Sequence, residues 1–179
     1  LPGNTINTIC EDNNGNLWIG GSNVLAKYDS KNDNFIDVKF DRGQNVNPPI
    51  IYKIFIDEKN RIWIGTNEYG IHLLNPEKMN TRRIKFILND EELRNANNVS
   101  IIETSNHEIL ATDYGAGIFY YNEGSDEFQL YDDLGADKLI YSLVLHEDEF
   151  KRLWIGGENS LIIYNRSNKK LENVEMFST

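Results

Sequence analysis

One cysteine, Cys10, in 179 residues leaves no internal disulfide framework and no cysteine-based zinc site. It says little about compartment, because many exported bacterial domains lack disulfides. No apolar run approaches the roughly 20 residues that a membrane helix needs, so no membrane contact is expected of this segment. Positive charge is also short. Lys plus Arg is 18 against 28 for Asp plus Glu, a net charge of -10, and such a field repels polyanions unless a local basic patch overrides it. Nucleic acid is therefore not an expected partner. Only three histidines occur, with no phosphate loop, no Gly-x-Ser-x-Gly elbow and no His-Glu-x-x-His, so the sequence offers no catalytic set and implies no cofactor. The Leu-Pro-Gly start, without Met, basic region or apolar stretch, reads as a mature or excised segment from which any signal peptide is absent.

What is present is a repeat. Leu17-Trp18-Ile19-Gly20-Gly21 recurs as Ile62-Trp63-Ile64-Gly65-Thr66, as Ile109-Leu110-Ala111-Thr112-Asp113, and as Leu153-Trp154-Ile155-Gly156-Gly157. The anchors at 18, 63, 110 and 154 are 45, 47 and 44 residues apart. Upstream of each lies an apolar pair: Ile6 and Ile9, Ile51 and Ile54, Val99 and Ile102, Ile140 and Leu143. A polar turn follows each pair, and the fourth, His146 to Arg152, reads as a longer version of the others. Downstream come Tyr28-Asp29, Leu74-Asn75, Tyr121-Asn122 and Tyr164-Asn165, then a closing apolar residue at Phe35, Ile84, Phe128 or Leu171.

Four short apolar segments per repeat, bounded by Asn, Asp and Gly, predict four-stranded antiparallel meanders over about 5–46, 47–95, 96–137 and 138–179. Helical spacing is absent except at Glu91-Glu92-Leu93-Arg94, which could make one helical turn. Ile54-Phe55-Ile56 and Leu161-Ile162-Ile163-Tyr164 are apolar at successive positions, which predicts burial on both faces. Radial stacking of such meanders makes an all-β fold, the β-propeller, with Trp18, Trp63 and Trp154 filling the seams between blades and the following glycines allowing close backbone approach.

Glu-Asp-x-x-Gly-x-Leu-Trp-Ile-Gly at 11–20 with Tyr28-Asp29 resembles the two-component regulator propeller repeat, closely in units one, two and four and loosely in unit three. The resemblance implies a periplasmic sensor region of a hybrid two-component histidine kinase and response regulator protein in glycan-degrading bacteria. Such sensors usually carry seven-bladed propellers, so four units suggest an open arc of a larger ring, with a closed four-bladed ring or a half-ring as alternatives. The partners implied are an oligosaccharide or other small-molecule ligand, the remaining blades of the parent chain, and a second copy by self-association. The motif consists of scaffold residues and carries over no binding residue.

Binding in propellers usually uses loops at one end of the central channel. The loops between second and third strands, with the inter-blade loops, place Arg42, Asn67, Tyr69, Arg94, Asp113, Tyr114, Tyr141 and Glu158 as candidate ligand-binding residues. Aromatic faces beside amides, Arg and carboxylates suit sugar recognition, because rings stack on apolar sugar faces while planar polar groups fix hydroxyls. No catalytic residue and no metal ligand is assigned. His107-Glu108 and His146-Glu147 could approach one another and hold a divalent cation, the alternative being solvated turn residues, and His72 is expected to be structural. A carbohydrate-sensing, non-enzymatic segment is the expected function; a propeller lyase or a purely structural or dimerising scaffold are the alternatives.

Overall fold

The computed structural model describes residues 5–41, 49–93, 96–97, 100–131, 142–158 and 160–174. Among these there are seventeen strands and no helix. They divide into two compact units, Leu1–Lys85 with Arg94–Asn98, and Phe86–Leu93 with Val99–Thr179. The chain is a β-propeller type of fold, made of four antiparallel meanders.

The first unit holds β1 (Ile6–Glu11), β2 (Leu17–Gly21), β3 (Val24–Asp29) and β4 (Asn34–Asp37), hydrogen-bonded in that order. Its second meander is β5 (Ile51–Ile56), β6 (Ile62–Thr66), β7 (Ile71–Asn75) and β8 (Asn80–Leu88), the last of which runs on into the second unit. That unit continues with β9 (Glu91–Glu92), then β10 (Ile101–Glu103), β11 (Ile109–Asp113), β12 (Gly117–Asn122) and β13 (Glu127–Leu130). It ends with β14 (Ser142–Glu147), β15 (Arg152–Gly157), β16 (Ser160–Asn165) and β17 (Lys170–Asn173).

The turn after each first strand has one backbone design. The amide of Asp12, Asp57, Thr104 or Asp148 donates to the carbonyl four residues on, at 2.9, 3.2, 2.9 and 3.0 Å. The residue three positions on returns a bond to the first and sits left-handed: Gly15 (φ 78°), Asn60 (59°), His107 (62°) and Lys151 (61°). Only glycine takes that conformation without a Cβ penalty. The fourth turn is therefore no longer than the others, because His146 and Glu147 belong to β14 and pair with Trp154 and Leu153. The turns between third and fourth strands are Asx turns: Asp29, Asn75, Asn122 and Asn165 each accept a backbone amide two residues on.

Where Glu91-Glu92-Leu93-Arg94 suggests a helical turn, the chain makes a hairpin instead. Glu91 and Glu92 pair with Leu88 and Ile87 across Asn89 and Asp90, both at positive φ (52° and 63°). Two successive left-handed residues are what a two-residue primed turn requires, and Asn and Asp tolerate them. Arg94 itself lies outside the described residues.

The seam of the first unit shows why the tryptophan recurs. Trp18 is fully buried among Leu25, Ile51, Ile54, Ile62 and Ile64. A Cβ on Gly20 would stand 2.6 Å from Ile51 Cγ2, so the glycine lets the second meander approach. In the second unit Leu110 takes the tryptophan's place, buried with Leu145, Leu153 and Ile155. Trp63 is likewise fully buried, whereas Trp154 is half-buried.

Two-sided burial of the apolar strands is only partial. Ile54, Ile162 and Tyr164 are buried, but Phe55, Ile56, Leu161 and Ile163 are half-buried, the alternation of a strand covered better on one face. The closing residues Ile84 and Phe128 are buried, while Phe35 is 39% exposed on the outermost strand of the first meander. Ile9 is 65% exposed, although Ile54 and Leu145, which hold the same register position in their meanders, are 2% and 4% exposed.

Candidate functional site

Five of the eight expected ligand-contacting residues are described; Arg42, Arg94 and Tyr141 lie outside the described residues. In the first unit Asn67 follows β6. Its side-chain oxygen accepts the Ile50 amide at 2.6 Å and its own amide donates to Ile50 O at 3.1 Å, so it fastens the entry to β5. Tyr69 is buried at 8% exposure, its ring set edge-on to Phe40, with centroids 6.3 Å apart. It does not offer the exposed ring face that the sequence suggests, because the left-handed Glu68 (φ 59°) and Gly70 (φ 75°) turn it back onto the meander. Its carbonyl accepts from Arg83 Nε at 3.3 Å and contacts His72 Nε2 at 3.2 Å.

His72 is structural, as expected. It is fully buried on β7, with Thr81 Oγ1 3.4 Å from Nδ1 and the Phe40 ring 4.2 Å away. Burial pushes its pKa down from 6.5 to about 4, so it is neutral at pH 7.

The second unit brings three expected residues together. Asp113 ends β11 almost fully buried, and Tyr114 and Gly115 (φ 115°) turn the chain toward β12. The Tyr114 hydroxyl donates to Glu158 Oε1 at 2.7 Å across 44 residues of sequence, joining the equivalent loops of successive meanders. Tyr114 is 36% exposed and Glu158 is exposed. An exposed phenol ring beside a carboxylate can stack on a sugar face and accept from its hydroxyls.

The two His-Glu pairs do not form a cation site. His146 lies within β14, and His107 Nδ1 is 3.8 Å from Glu103 at the end of β10. The two glutamates do converge, but on a guanidinium. Arg166 pairs with Glu108 and, at 3.1 Å, with Glu147, while Glu147 also accepts the Ser105 amide at 2.5 Å. The charge that a cation would supply is already supplied by Arg166, a partner 58 residues from Glu108 that spacing alone does not reveal.

A feature of the turns also escapes sequence spacing. The indole Nε1–H of Trp18, Trp63 and Trp154 donates to Asp12, Asp57 and Asp148 at 2.9, 2.9 and 2.8 Å. Asp12 and Asp57 are buried at 5% and 2% exposure. For Asp12 burial works against the charge, but hydrogen bonds from Asn16, Trp18 and the Asn14 amide outweigh it and hold the carboxyl below its ordinary range. Asp148 is lowered to about 2: desolvation opposes the charge, and bonds from Trp154 and Arg152 overcome it. These carboxylates are scaffold groups, not catalytic ones.

Residues 1–23 and 45–68 match the family described as the two component regulator propeller. The two matched stretches contain the Trp-Ile-Gly anchors of the first and second meanders. It is 29% identical over 79 residues to histidine kinase P4 of Formosa agariphila, covering 41% of this chain and 6% of that protein. Among solved structures it is similar to the extracellular domain of B. thetaiotaomicron BT3049, described as a hybrid two component system, with TM-score 0.80 and 22% identity. That match covers 97% of this chain and 25% of that one, so the chain spans only a small part of these relatives. Virginiamycin B lyase from Staphylococcus aureus shares the fold at TM-score 0.67 and 15% identity, over 97% of this chain and 57% of the lyase.

Proposed function

We propose that this two-component regulator propeller segment is a non-enzymatic part of an extracytoplasmic, periplasmic sensor that binds a carbohydrate fragment and passes binding energy to a distant kinase. The observation that carries the reading is the Tyr114–Glu158 hydrogen bond, because it sets an aromatic ring and a carboxylate on the loops of two successive meanders. A receptor signals only through differential affinity for two states, so a ligand must touch elements that move relative to one another. Loops of adjacent meanders are such elements. The names of the kinase and hybrid-system relatives support the sensor class, and further blades of the parent chain would complete the propeller.

The lyase reading has less support. Its channel-face histidine chemistry finds no counterpart here: His72 is buried on β7, His107 lies in a first turn and His146 on β14. The test is glycan binding and reporter signalling by the intact sensor carrying Tyr114→Ala or Glu158→Gln. Affinity should fall about tenfold per lost stacking or charged contact, roughly 1.4 kcal/mol, with the melting temperature unchanged. Unaltered affinity and signalling in both variants would show this face to be scaffold.

A further inference from the structure

A cavity of about 470 Å³ opens beside the seam between the first and second meanders, and its described lining belongs wholly to the first unit. Three lining residues are polar, Asn23, Asp37 and Lys39, and all three are exposed. Among the described residues their side chains have no hydrogen-bond or ion-pair partner, one another included. Asn23 lies between β2 and β3, in the class of loop from which ligand contacts are expected.

Backbone bonds fix the walls. Asn23 sits left-handed (φ 62°), and its amide donates to Pro49 O at 3.3 Å. Lys39 is held against β8, with its amide donating to Met79 O at 2.8 Å and its carbonyl accepting the Thr81 amide at 3.0 Å. The half-buried Phe40 ring next to it has the His72 ring 4.2 Å away and Tyr69 edge-on. Tyr69, too buried to meet a ligand itself, thus positions the aromatic ring of the lining.

The space follows from one small side chain. Val38 and Tyr131 hold the same place in the first and third meanders, each donating its amide to the third-strand residue, Leu25 or Ile118, that pairs with the second residue after the anchor. Tyr131 packs against the core of the second unit, whereas valine leaves the room open.

One carboxylate and one ammonium line the cavity, so a ligand of net charge gains at one group what it loses at the other. A neutral hydroxyl can donate to Asp37 and accept from Lys39, and the Asn23 amide serves either role. Leu25, Val38 and Phe40 supply apolar surface for the C–H face of a sugar ring, and the volume suits a mono- or disaccharide.

We infer that this cavity is a subsite for a neutral saccharide unit, with Asn23, Asp37 and Lys39 on its hydroxyls and Phe40 on its ring face. The saccharide class rests on the sensor reading above; the place of the site and its preference for a neutral ligand do not.

The experiment titrates the 179-residue chain with cellobiose, maltose and lactose, with cellobiouronate and the β-1,4-linked glucosamine dimer as charged matches, and with leucine as a zwitterion, followed by amide chemical shifts. At least one neutral disaccharide should shift residues 23–25 and 37–40 and bind about tenfold or more tighter than either charged dimer. The Asp37→Ala/Lys39→Ala double variant keeps the net charge, and Asn23→Gly suits the left-handed backbone. Each should weaken that binding by about tenfold with the melting temperature unchanged. Val38→Tyr, which puts the third meander's residue in place, should abolish it. No shift at these residues with any neutral disaccharide, or unchanged binding in both polar variants, overturns the inference. A charged dimer that binds as tightly overturns it too, as does leucine shifting these amides where the disaccharides do not. Tyr114→Ala separates the two readings. Shifts confined to 113–117 and lost in that variant sink the cavity and leave the sensor reading standing. Shifts at 23–40 that survive it and vanish in the double variant support the cavity, and loop amides that stay unshifted count against the loop face alone.

Discussion

Thr104 and Leu110 stand in the third meander where Asp57 and Trp63 stand in the second, yet the turn between first and second strands is the same in both. Thr104 N–H reaches Glu108 O at 2.9 Å and His107 takes the left-handed place of Asn60. The turn is therefore set by backbone bonds and one residue at positive φ, not by the carboxylate. The Asp–Trp bond does something separate: it satisfies an indole N–H where the ring is buried, since an unpaired buried donor is unfavourable by roughly 1–3 kcal/mol. Leu110 has no polar atom and needs no such partner. In its place the third turn is tied to the fourth meander by Arg166, through Glu108 and Glu147.

The largest break in that comparison is removal of the ring. Trp63→Ala should destabilise by about 3–5 kcal/mol in a denaturant titration, because it empties a fully buried site. A loss below about 1 kcal/mol would mean the indole does not fill the core. Leu110→Ala, a smaller deletion at the equivalent position, should fall at or below the same range.

The second break is by pH. The folded pKa of His72 is depressed, so its contribution is present above the unfolded value of 6.5 and is lost as pH falls toward about 4, amounting to on the order of 3 kcal/mol. His72→Asn should flatten the stability profile between those values; an unaltered slope would place the titration elsewhere. Asp148, also depressed, contributes stability that is lost as pH falls from its ordinary 3.8 to about 2, and Asp12, held low as well, loses its share below its ordinary value. The third turn has Thr104 at that position, which does not titrate.

A smaller effect is expected at the carboxylate itself. Asp57→Ala leaves the Trp63 N–H and the Arg61 donors without their acceptor and should lose about 2 kcal/mol. Thr104→Ala should lose about 1 kcal/mol, as two weak 3.3 Å bonds disappear, one accepted from the Glu108 amide and one donated to the Glu108 carboxylate. Equal losses would show that the buried indole does not distinguish the two turns. Arg166→Met should have a similar effect, about 1 kcal/mol, because Glu108 is 41% exposed and can return to water while Glu147 keeps the Ser105 amide. Its loss should shrink at high salt, and a salt-independent loss would indicate lost stem contacts instead.

The spacing of 45, 47 and 44 residues, the Asx turns and the recurring tryptophan made the four meanders legible, since each depends on residues a few positions apart. Glu91–Glu92 was the exception: two charged helix formers lie in a hairpin because the Asn89-Asp90 turn overrides propensity. The loop positions of Tyr114 and Glu158 were also readable, whereas Asp113, expected in the same loop, ends β11.

Local sequence thus determined which segments are strands and where the chain reverses, because hydrogen bonds within a meander are short-range and repeat. Tertiary structure alone decided that Tyr69 is buried while Tyr114 is exposed, that Glu158 meets Tyr114 across 44 residues, and that two glutamates share one arginine. It also gathered Asn23, Asp37, Lys39 and Phe40 around one cavity. Those outcomes depend on strand register and on how one meander covers the next, and the repeat pattern is identical whether a polar side chain ends beside a partner, a ligand or water.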